Sequence, residues 1–235
     1  IIAALCRDAI QQWPETRILM MSHVKELLEQ NSEKMRAMWP GAPLGIYSAS
    51  LRKRNLEEPI TFAGIQSVRN KSKEIGHVDL VIIDECHLVN HKAEGGYRTL
   101  IEELTTINPE LRVIGLTATP HRLGHGLITD KPAIFDDLLE SVTIEELIHK
   151  GYLANLRSKV TKEKLSTDGV HKRGGDFIES ELQAAVDTDA HNMAVVDEVI
   201  GLPGNRRHWL FFCARVQHAL NIRDQLRLRG ISAET

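Results

Sequence analysis

The sequence predicts an α/β fold in which a parallel sheet is covered by helices. Apolar segments of strand length alternate with amphipathic helical segments in the first part of the chain, the pattern of parallel strands joined by helical crossovers. One segment, residues 78–83, is apolar at nearly every position, as expected for a strand buried on both faces. Polar residues follow two of these strands, at Asp84-Glu85 and at Thr117-Ala118-Thr119. Open parallel sheets bind their ligands at such strand ends.

Each element of this part has its own signal. Buried strands alternate with helices such as 23–38, where Val24, Leu27, Leu28 and Met35 recur near helical spacing. The predicted strands are 17–21, 44–47, 61–63, 78–83 and 111–116, and the predicted helices are the first ten residues, 23–38, 65–68 and 98–106. A capping box at 143–146 starts a further helix that ends at Gly151. We therefore place a domain boundary there, giving domains 1–153 and 154–235.

The residue pattern of the second part of the chain predicts the beginning of another α/β unit. We expect strands at 156–160 and 208–213, a polar loop at 162–175, a helix beginning at 176–179, and helices at 191–200 and 216–229. The first residues resemble the middle of a helix, and the last ones begin a strand that no further element closes. We therefore expect the sequence to be a piece of a longer protein.

Composition restricts the class of protein. Of 235 residues, 42% are hydrophobic and 26% charged, as in ordinary globular proteins. No apolar run approaches the roughly 18–20 residues that span a bilayer, so a membrane protein is not supported. The net charge of −3 argues against a wholly basic surface but permits a local cationic groove. Three cysteines without a C-x-x-C pair indicate reduced, cytosolic thiols.

The Asp84-Glu85 pair carries the chemical prediction. One carboxylate can hold hydrated Mg²⁺ on the phosphates of a nucleotide while its neighbour orients and deprotonates the attacking water. An isolated Asp-Glu after an apolar run is more often an exposed turn. Here Cys86-His87 follows directly, and a second buried strand ends in Thr-Ala-Thr before the helix-stopping Pro120. The combination favours nucleotide hydrolysis.

With these motifs the sequence resembles the superfamily 2 helicases and translocases of DEAD/DEAH type. Residues 21–31 resemble motif Ia, 62–68 the segment after motif Ib, Asp84-Glu85-Cys86-His87 motif II in its D-E-C-H form, and Thr117-Ala118-Thr119 motif III. Segments at 120–126, 151–153 and 175–177 are most similar to the RadD/YejH-like bacterial branch, which has phage relatives and is linked to DNA repair. The resemblance implies a RecA-like P-loop NTPase lobe followed by the start of a second one, in the cytoplasm of a bacterial or phage-infected cell.

The resemblance also implies roles for individual residues. Asp84 would bind Mg²⁺ through water, Glu85 would act as the catalytic base, and His87 would connect to motif III, with ATP as the nucleotide. The residues expected to face the nucleic-acid backbone are Ser22, His23, Lys25, Gln66 and Ser67. The glycine-rich phosphate loop is absent from the sequence, and the arginine-finger motifs would follow a motif IV-like segment at 209–213. We therefore expect the 235-residue chain alone to hydrolyse ATP poorly or not at all.

Several functions remain open from the sequence. The resemblance implies an ATP-driven helicase or translocase that acts on nucleic acid, with DNA favoured over RNA. Two rivals are the duplex-translocating motor of a restriction or remodelling complex and a non-catalytic nucleic-acid-binding relative. A zinc site at His87 and His91 lacks the Glu that H-E-x-x-H requires. We interpret Arg52-Lys53-Arg54 as a solvated loop, Trp39 and Trp209 as core residues, and Cys86 as unsuited to nucleophilic attack.

Overall fold

Most of the chain can be described as two compact units. The computed structural model describes residues 1–89, 96–122, 126–130, 133–140, 142–156, 158, 161–162, 164–173, 176–202 and 208–235. The two units are Ile1–Ser141 and Val142–Thr235. This division falls before the boundary placed after residue 153 and assigns the helix at Ile144–His149 to the second unit. In these described ranges no helix has the length and hydropathy needed to cross a bilayer.

The first unit contains a six-stranded, mostly parallel sheet. Its strands are β1 (Ile18–Ser22), β2 (Leu44–Ser48), β3 (Lys53–Arg54), β4 (Ile60–Gly64), β5 (Leu80–Asp84) and β6 (Arg112–Leu116). Their order in the sheet is β3-β2-β4-β1-β5-β6. Five strands are parallel, and only β3 at the edge pairs antiparallel to its neighbour in this sheet. The α/β class with a parallel sheet is therefore confirmed.

Helices cover both faces of this sheet. They are α1 (Ile2–Gln12), α2 (Lys25–Met38), α3 (Ile65–Val68), α4 (Ser72–Ile75) and α5 (Gly96–Ile107). Along β1, Ile18 and Met20 pack with the buried residues of α1 and α2, whereas Leu19 and Met21 pack with those of α3, α4 and α5. This alternation follows from the two-residue period of a strand. Because both faces of the central strands are covered in this way, these strands are apolar at consecutive positions.

Two predicted features of the first unit have different outcomes. Trp39 packs against the cluster formed by α1, α2 and the sheet, which confirms it as a core residue. The Arg52-Lys53-Arg54 segment is exposed, and its last two residues form the edge strand β3 instead of an irregular loop. Beyond β6, a short hairpin pairs β7 (His121–Arg122) with β8 (Gly126–Leu127).

The second unit is mainly helical in its described part. Its elements are α6 (Ile144–His149), β9 (Lys172–Arg173), β10 (Asp176–Phe177), α7 (Glu179–Val186), α8 (Asp189–Gly201) and α9 (Val216–Leu228). The hydroxyl of Thr143 accepts a hydrogen bond from the backbone N–H of Glu146 at 3.1 Å, which confirms the predicted cap of α6. Val196, Ile222 and Leu226 form the apolar contact between α8 and α9.

A cluster around Asp187 joins the three long helices of this unit. Its carboxylate follows α7 and accepts hydrogen bonds from Gln183 of α7 at 3.0 Å, Asn192 of α8 at 2.8 Å and Asn221 of α9 at 2.9 and 3.1 Å. Burial raises the pKa of Asp187, but the three amide donors and the charge of His218 together lower it by more than burial raises it. The pKa of Asp187 therefore lies below its usual value. We call these residues the Asp187 cluster.

The prediction of a buried strand at 208–213 is wrong. The segment is not a strand, and Trp209, Leu210 and Phe212 are 38%, 79% and 90% exposed. Only Phe211 and Cys213 pack against the α8–α9 cluster. A short continuous apolar run predicts a buried strand. A strand forms only where a neighbouring strand supplies hydrogen bonds, and the described residues provide none. Trp209 is consequently not the core residue that we expected.

Three further boundaries differ from the sequence prediction. The polar segment 162–175 contains β9, which pairs antiparallel with β10, so that residues 176–177 form a strand where we expected a helix to begin. The helix α7 starts at Glu179 instead. Of the strand expected at 156–160, residues 157, 159 and 160 lie outside the described residues, and Leu156 is exposed and not in a strand.

Candidate active site

The two adjacent carboxylates lie where the buried strand β5 ends. Asp84 is its last residue, and Glu85 adopts a left-handed backbone conformation with φ 52° and ψ 48°. A side chain with a Cβ rarely adopts this conformation, which costs on the order of 1–3 kcal/mol and recurs at functional sites. It turns the chain into a 3₁₀ turn at Cys86–Leu88. Cys86 thereby enters the core while both carboxylates remain half-buried at the sheet edge.

The Asp84 carboxylate is held by two donors. Its Oδ1 accepts a hydrogen bond from the backbone N–H of Glu85 at 3.1 Å, and its Oδ2 accepts one from Asn31 Nδ2 at 2.6 Å. Asn31 lies on α2, and sequence reasoning did not single it out. The sequence feature that could have identified Asn31 is its polarity, because it lies on the same face of the helix as the buried Leu28 and Met35. Each oxygen of Asp84 keeps a second lone pair for other ligands.

His87 connects motif II to the residues after β6. Its Nδ1 lies 2.8 Å from Thr117 Oγ1, at hydrogen-bonding distance, and 3.3 Å from Glu85 Oε2. The residues meet because β5 and β6 are parallel neighbours with Asp84 opposite Leu116. Thr117 Oγ1 also accepts a hydrogen bond from the backbone N–H of Thr119 at 3.0 Å.

The structure thus brings His87 and Thr117 together, as the resemblance implied. Thr119 takes part through its backbone N–H and not through its hydroxyl. Ala118 lies exposed between them. The Glu85 carboxylate and the Thr117 hydroxyl thus both lie near the same nitrogen of His87, Nδ1.

His23, which we expected to face nucleic acid, also lies near the carboxylates. The surrounding protein partly desolvates its ring and, with the charge of His87, lowers the pKa of His23, while Glu85 and Asp84 act in the opposite direction. Although His23 is exposed, the four groups are close enough for their charges to interact. The end of β1 therefore belongs to the same electrostatic site as the end of β5.

The other residues with predicted nucleic-acid contacts differ in accessibility. Lys25 and Gln66 are exposed, and Ser67 is half-buried with its Oγ accepting a hydrogen bond from the Ala49 N–H at 2.9 Å. Ser22 is fully buried, and its Oγ accepts a hydrogen bond from the Val24 N–H at 3.3 Å. Burial argues against a phosphate contact through the Ser22 side chain. The predicted role of Ser22 therefore does not fit this arrangement.

The donor set at Asp84 suits Mg²⁺ that arrives with a nucleotide. Magnesium is usually bound through one or two carboxylates, phosphate oxygens and waters, not by a cage made only of protein ligands. In the described part of the chain, no group of three or more His, Cys, Asp or Glu side chains could hold a metal ion. His91, the second residue of the zinc alternative, lies outside the described residues.

Cys86 is unsuited to nucleophilic chemistry. Burial, with a smaller contribution from the two neighbouring carboxylates, raises the pKa of its thiol to about 11. The reactive form of cysteine is the thiolate, which such a thiol does not form near neutral pH. The side chain instead packs in the core on the α3–α5 face of the sheet.

Comparisons with known proteins identify a family and a curated relative. Residues 1–122 match the family described as "Type III restriction enzyme, res subunit". The chain is 27% identical over 222 residues to the putative mitochondrial ATP-dependent helicase irc3 of Schizosaccharomyces pombe, a match that covers 92% of this chain and 35% of the relative. The chain thus spans about a third of that relative's length.

A solved structure is also similar. The UvsW helicase from bacteriophage T4 matches with a TM-score of 0.41 and 18% identity, covering 51% of this chain and 42% of that one. The RadD/YejH-like branch is not confirmed by these relatives. Because the family match covers more than half of the sequence, the chain belongs to the Type III restriction enzyme res subunit family and is a superfamily 2 helicase sequence.

Proposed function

We propose that the protein is an ATP-dependent nucleic-acid helicase or translocase that acts on DNA. In this proposal the chain supplies the hydrolytic carboxylates and part of the nucleic-acid contacts. The observation that carries it is the joined geometry of Asp84, Glu85, His87 and Thr117 at one edge of the sheet. Such an arrangement fits nucleotide hydrolysis better than a solvated turn, because each polar side chain is oriented by a specific partner.

The roles follow from this geometry. Asp84, oriented by Asn31 and by the Glu85 N–H, would hold Mg²⁺ through water. The ion would supply positive charge that stabilises phosphoryl transfer. Glu85 takes the proton of the attacking water. His87 lies between Glu85 and Thr117, so that a shift of motif III changes the position of the base.

The substrate side of the proposal rests on the first turns of α2 and α3. Lys25 and Gln66 are exposed there, and Ser67 offers a hydroxyl. Groups of these types contact phosphate oxygens and fix a protein on the strand without reading its sequence. The family description names a restriction enzyme, a class that acts on DNA, and this supports DNA over RNA.

The same family description supports a second candidate, a motor that moves along duplex DNA without separating its strands. A strand-displacement assay and a triplex-displacement assay on the same protein distinguish the two, because only an unwinding enzyme releases the strand of a duplex. A non-catalytic relative is disfavoured because Asp84, Glu85 and Thr117 are all present and joined.

Glu85→Gln in the full-length protein that contains this chain tests the proposal. Loss of a general base lowers turnover by about 10²–10⁴-fold, so ATP hydrolysis stimulated by DNA should fall by this order while binding of a fluorescent ATP analogue persists. The matched control is Glu103→Gln, an exposed carboxylate on α5. Unchanged turnover in Glu85→Gln, or a wild-type protein without ATPase activity on single-stranded DNA, duplex DNA or RNA, would contradict the proposal.

The 235-residue chain itself offers a second test. Its sequence lacks the G-x-x-x-x-G-K-[ST] loop whose amides and lysine hold the phosphates. We therefore expect little or no ATP hydrolysis by the purified chain, with or without DNA. Substantial DNA-stimulated turnover by this chain alone would show that phosphate binding uses other residues.

A further inference from the structure

The hydrogen bond between Asn31 and Asp84 joins two elements that are far apart in sequence. Asn31 lies near the middle of α2 and Asp84 at the end of β5, 53 residues later. At 2.6 Å this hydrogen bond is short for an N–H···O bond, and its acceptor is a carboxylate, which strengthens such bonds. Among the described residues, Asn31 supplies the only side-chain hydrogen bond that reaches the Asp84 carboxylate. The other donor is the backbone of the next residue, Glu85.

These two donors determine the orientation of the carboxylate. Rotation about the last side-chain bond of aspartate is soft, and the Glu85 N–H belongs to the same turn and moves with Asp84. The Asn31 amide is therefore the only described contact that fixes this rotation from outside the turn. Without it, the oxygens of Asp84 can rotate away from the direction in which they would meet hydrated Mg²⁺.

The helix that carries Asn31 packs against the sheet through the face on which Asn31 lies. Leu28 and Met35, three residues before and four after Asn31, are each 1% exposed and lie in the core cluster on that face. Residues at these spacings share one face of a helix. Any movement of α2 along or about its axis therefore moves the Asn31 amide relative to Asp84.

The same helix begins at Lys25, one of the exposed residues with a predicted phosphate contact. Lys25 and Asn31 are six positions apart, a distance of about 9 Å along a helix that rises 1.5 Å per residue. One rigid element thus carries a candidate nucleic-acid contact at its first turn and the donor that orients Asp84 at its middle.

We propose that Asn31 is a positioning residue through which α2 couples nucleic-acid contact at its N-terminus to the orientation of the Asp84 carboxylate. The inference rests on the proposed ATPase function. Strand binding at Lys25 holds α2 in place, and the Asn31 amide then holds the carboxylate in the direction that suits magnesium-nucleotide. Nucleic-acid stimulation of ATP hydrolysis follows in part from this contact.

The test uses the full-length protein with three substitutions in α2. Asn31→Ala removes the donor, Asn31→Asp keeps the shape but opposes a second carboxylate to Asp84, and Lys34→Ala alters an exposed residue of the same helix as the control. The loss of one hydrogen bond to a charged group corresponds to about 10- to 100-fold. We expect kcat for DNA-stimulated hydrolysis to fall by this factor in Asn31→Ala, further in Asn31→Asp, and not in Lys34→Ala.

Readouts other than turnover separate positioning from a merely structural role. The Mg²⁺ concentration for half-maximal binding of a fluorescent ATP analogue should rise in Asn31→Ala, and excess Mg²⁺ should restore part of its turnover. The Kd for DNA measured without nucleotide should stay unchanged, because coupling between two sites acts only when both ligands are present. Asn31→His, which keeps a ring N–H donor of similar reach, should recover part of the loss.

The outcomes are distinguishable from failure of the proposed function. If the wild-type protein lacks ATPase activity, the proposed function fails. If the wild-type protein is active and Asn31→Ala matches Lys34→Ala in kcat and in Mg²⁺ dependence, only the inference is overturned. Should Asn31→Ala unfold at lower temperature than wild type, the isosteric Asn31→Asp decides, because it should still shift the Mg²⁺ dependence.

Discussion

Gly115 tests whether close packing between β6 and the turn after β5 supports the site. Gly115 lies opposite Ile83 in the sheet. A Cβ added at Gly115 would lie 2.6 Å from Cys86 Sγ and 2.6 Å from Phe135 Cζ. Carbon atoms in good contact are about 3.5–4.0 Å apart. Gly115→Ala therefore requires a displacement of roughly 1 Å on both sides of a single methyl group.

The surroundings make this displacement unfavourable. Cys86 follows directly on the two carboxylates and is 1% exposed, and Phe135 is 8% exposed, so neither side chain has free space. Overpacking of a core costs about 1–3 kcal/mol, and replacing glycine in a strand recovers about 0.5–1 kcal/mol through the unfolded chain. We expect Gly115→Ala to lower the free energy of unfolding by about 1–2 kcal/mol.

Urea unfolding of the 235-residue chain, followed by far-ultraviolet circular dichroism, measures this change. The control is Gly96→Ala in the same unit, where the added Cβ would make ordinary contacts of 3.5 Å with the Arg69 side chain. Combining Gly115→Ala with Phe135→Leu should cost less than the sum of the two changes, because the smaller side chain relieves the clash. Equal stability of Gly115→Ala and wild type, or strictly additive costs in the double variant, would refute the reasoning.

Two further predictions concern the coupling network and the second unit. Thr117→Val removes the hydroxyl that lies 2.8 Å from His87 Nδ1. In the full-length protein, kcat for DNA-stimulated ATP hydrolysis should therefore fall about tenfold, with little change in the KM for ATP. An unchanged kcat would show that this contact has no part in coupling. Asp187→Ala leaves the amides of Asn192 and Asn221 without their acceptor and should destabilise the second unit by about 2 kcal/mol or more. The folded state lowers the pKa of Asp187. Its contribution to stability is therefore present above the unfolded-state pKa of about 3.9 and is lost as the pH falls through the folded-state value. In an acid titration of thermal stability, wild type should lose more stability than Asp187→Ala, which keeps the lowered pKa values of Glu181 and Asp197.

The central sheet was predictable because its signals are local. The run at 78–83 is apolar at every position except Asp79, and the structure places β5 at Leu80–Asp84. The Thr143 cap of α6 was equally readable, because capping acts over three residues. The segment 208–213 shows the limit of such reasoning. Its apolar run predicts a strand, but strand formation depends on a neighbouring strand that the local sequence does not reveal.

The sequence likewise predicted some features of the candidate site and not others. Asp84 and Glu85 could be chosen from the sequence because paired carboxylates at a strand end suit magnesium-nucleotide chemistry, whereas the roles of His87 and Thr117 were implied by the family resemblance. The left-handed conformation of Glu85 and the burial of Ser22 could not be predicted. Both depend on how the chain turns after a strand and on which neighbours then cover it.

The sequence by itself determined the parallel α/β class, the ends of the two buried strands and the acidic pair between them, because hydrophobic periodicity and residue chemistry act over a few positions. Only the tertiary structure decided that Asn31 donates a hydrogen bond to Asp84, that His23 lies near the same carboxylates, and that Cys86 and Phe135 pack closely against Gly115. Each of these relations joins residues on different elements. They arise from the register of parallel strands and the seating of helices on the sheet, which are set by packing of the whole unit.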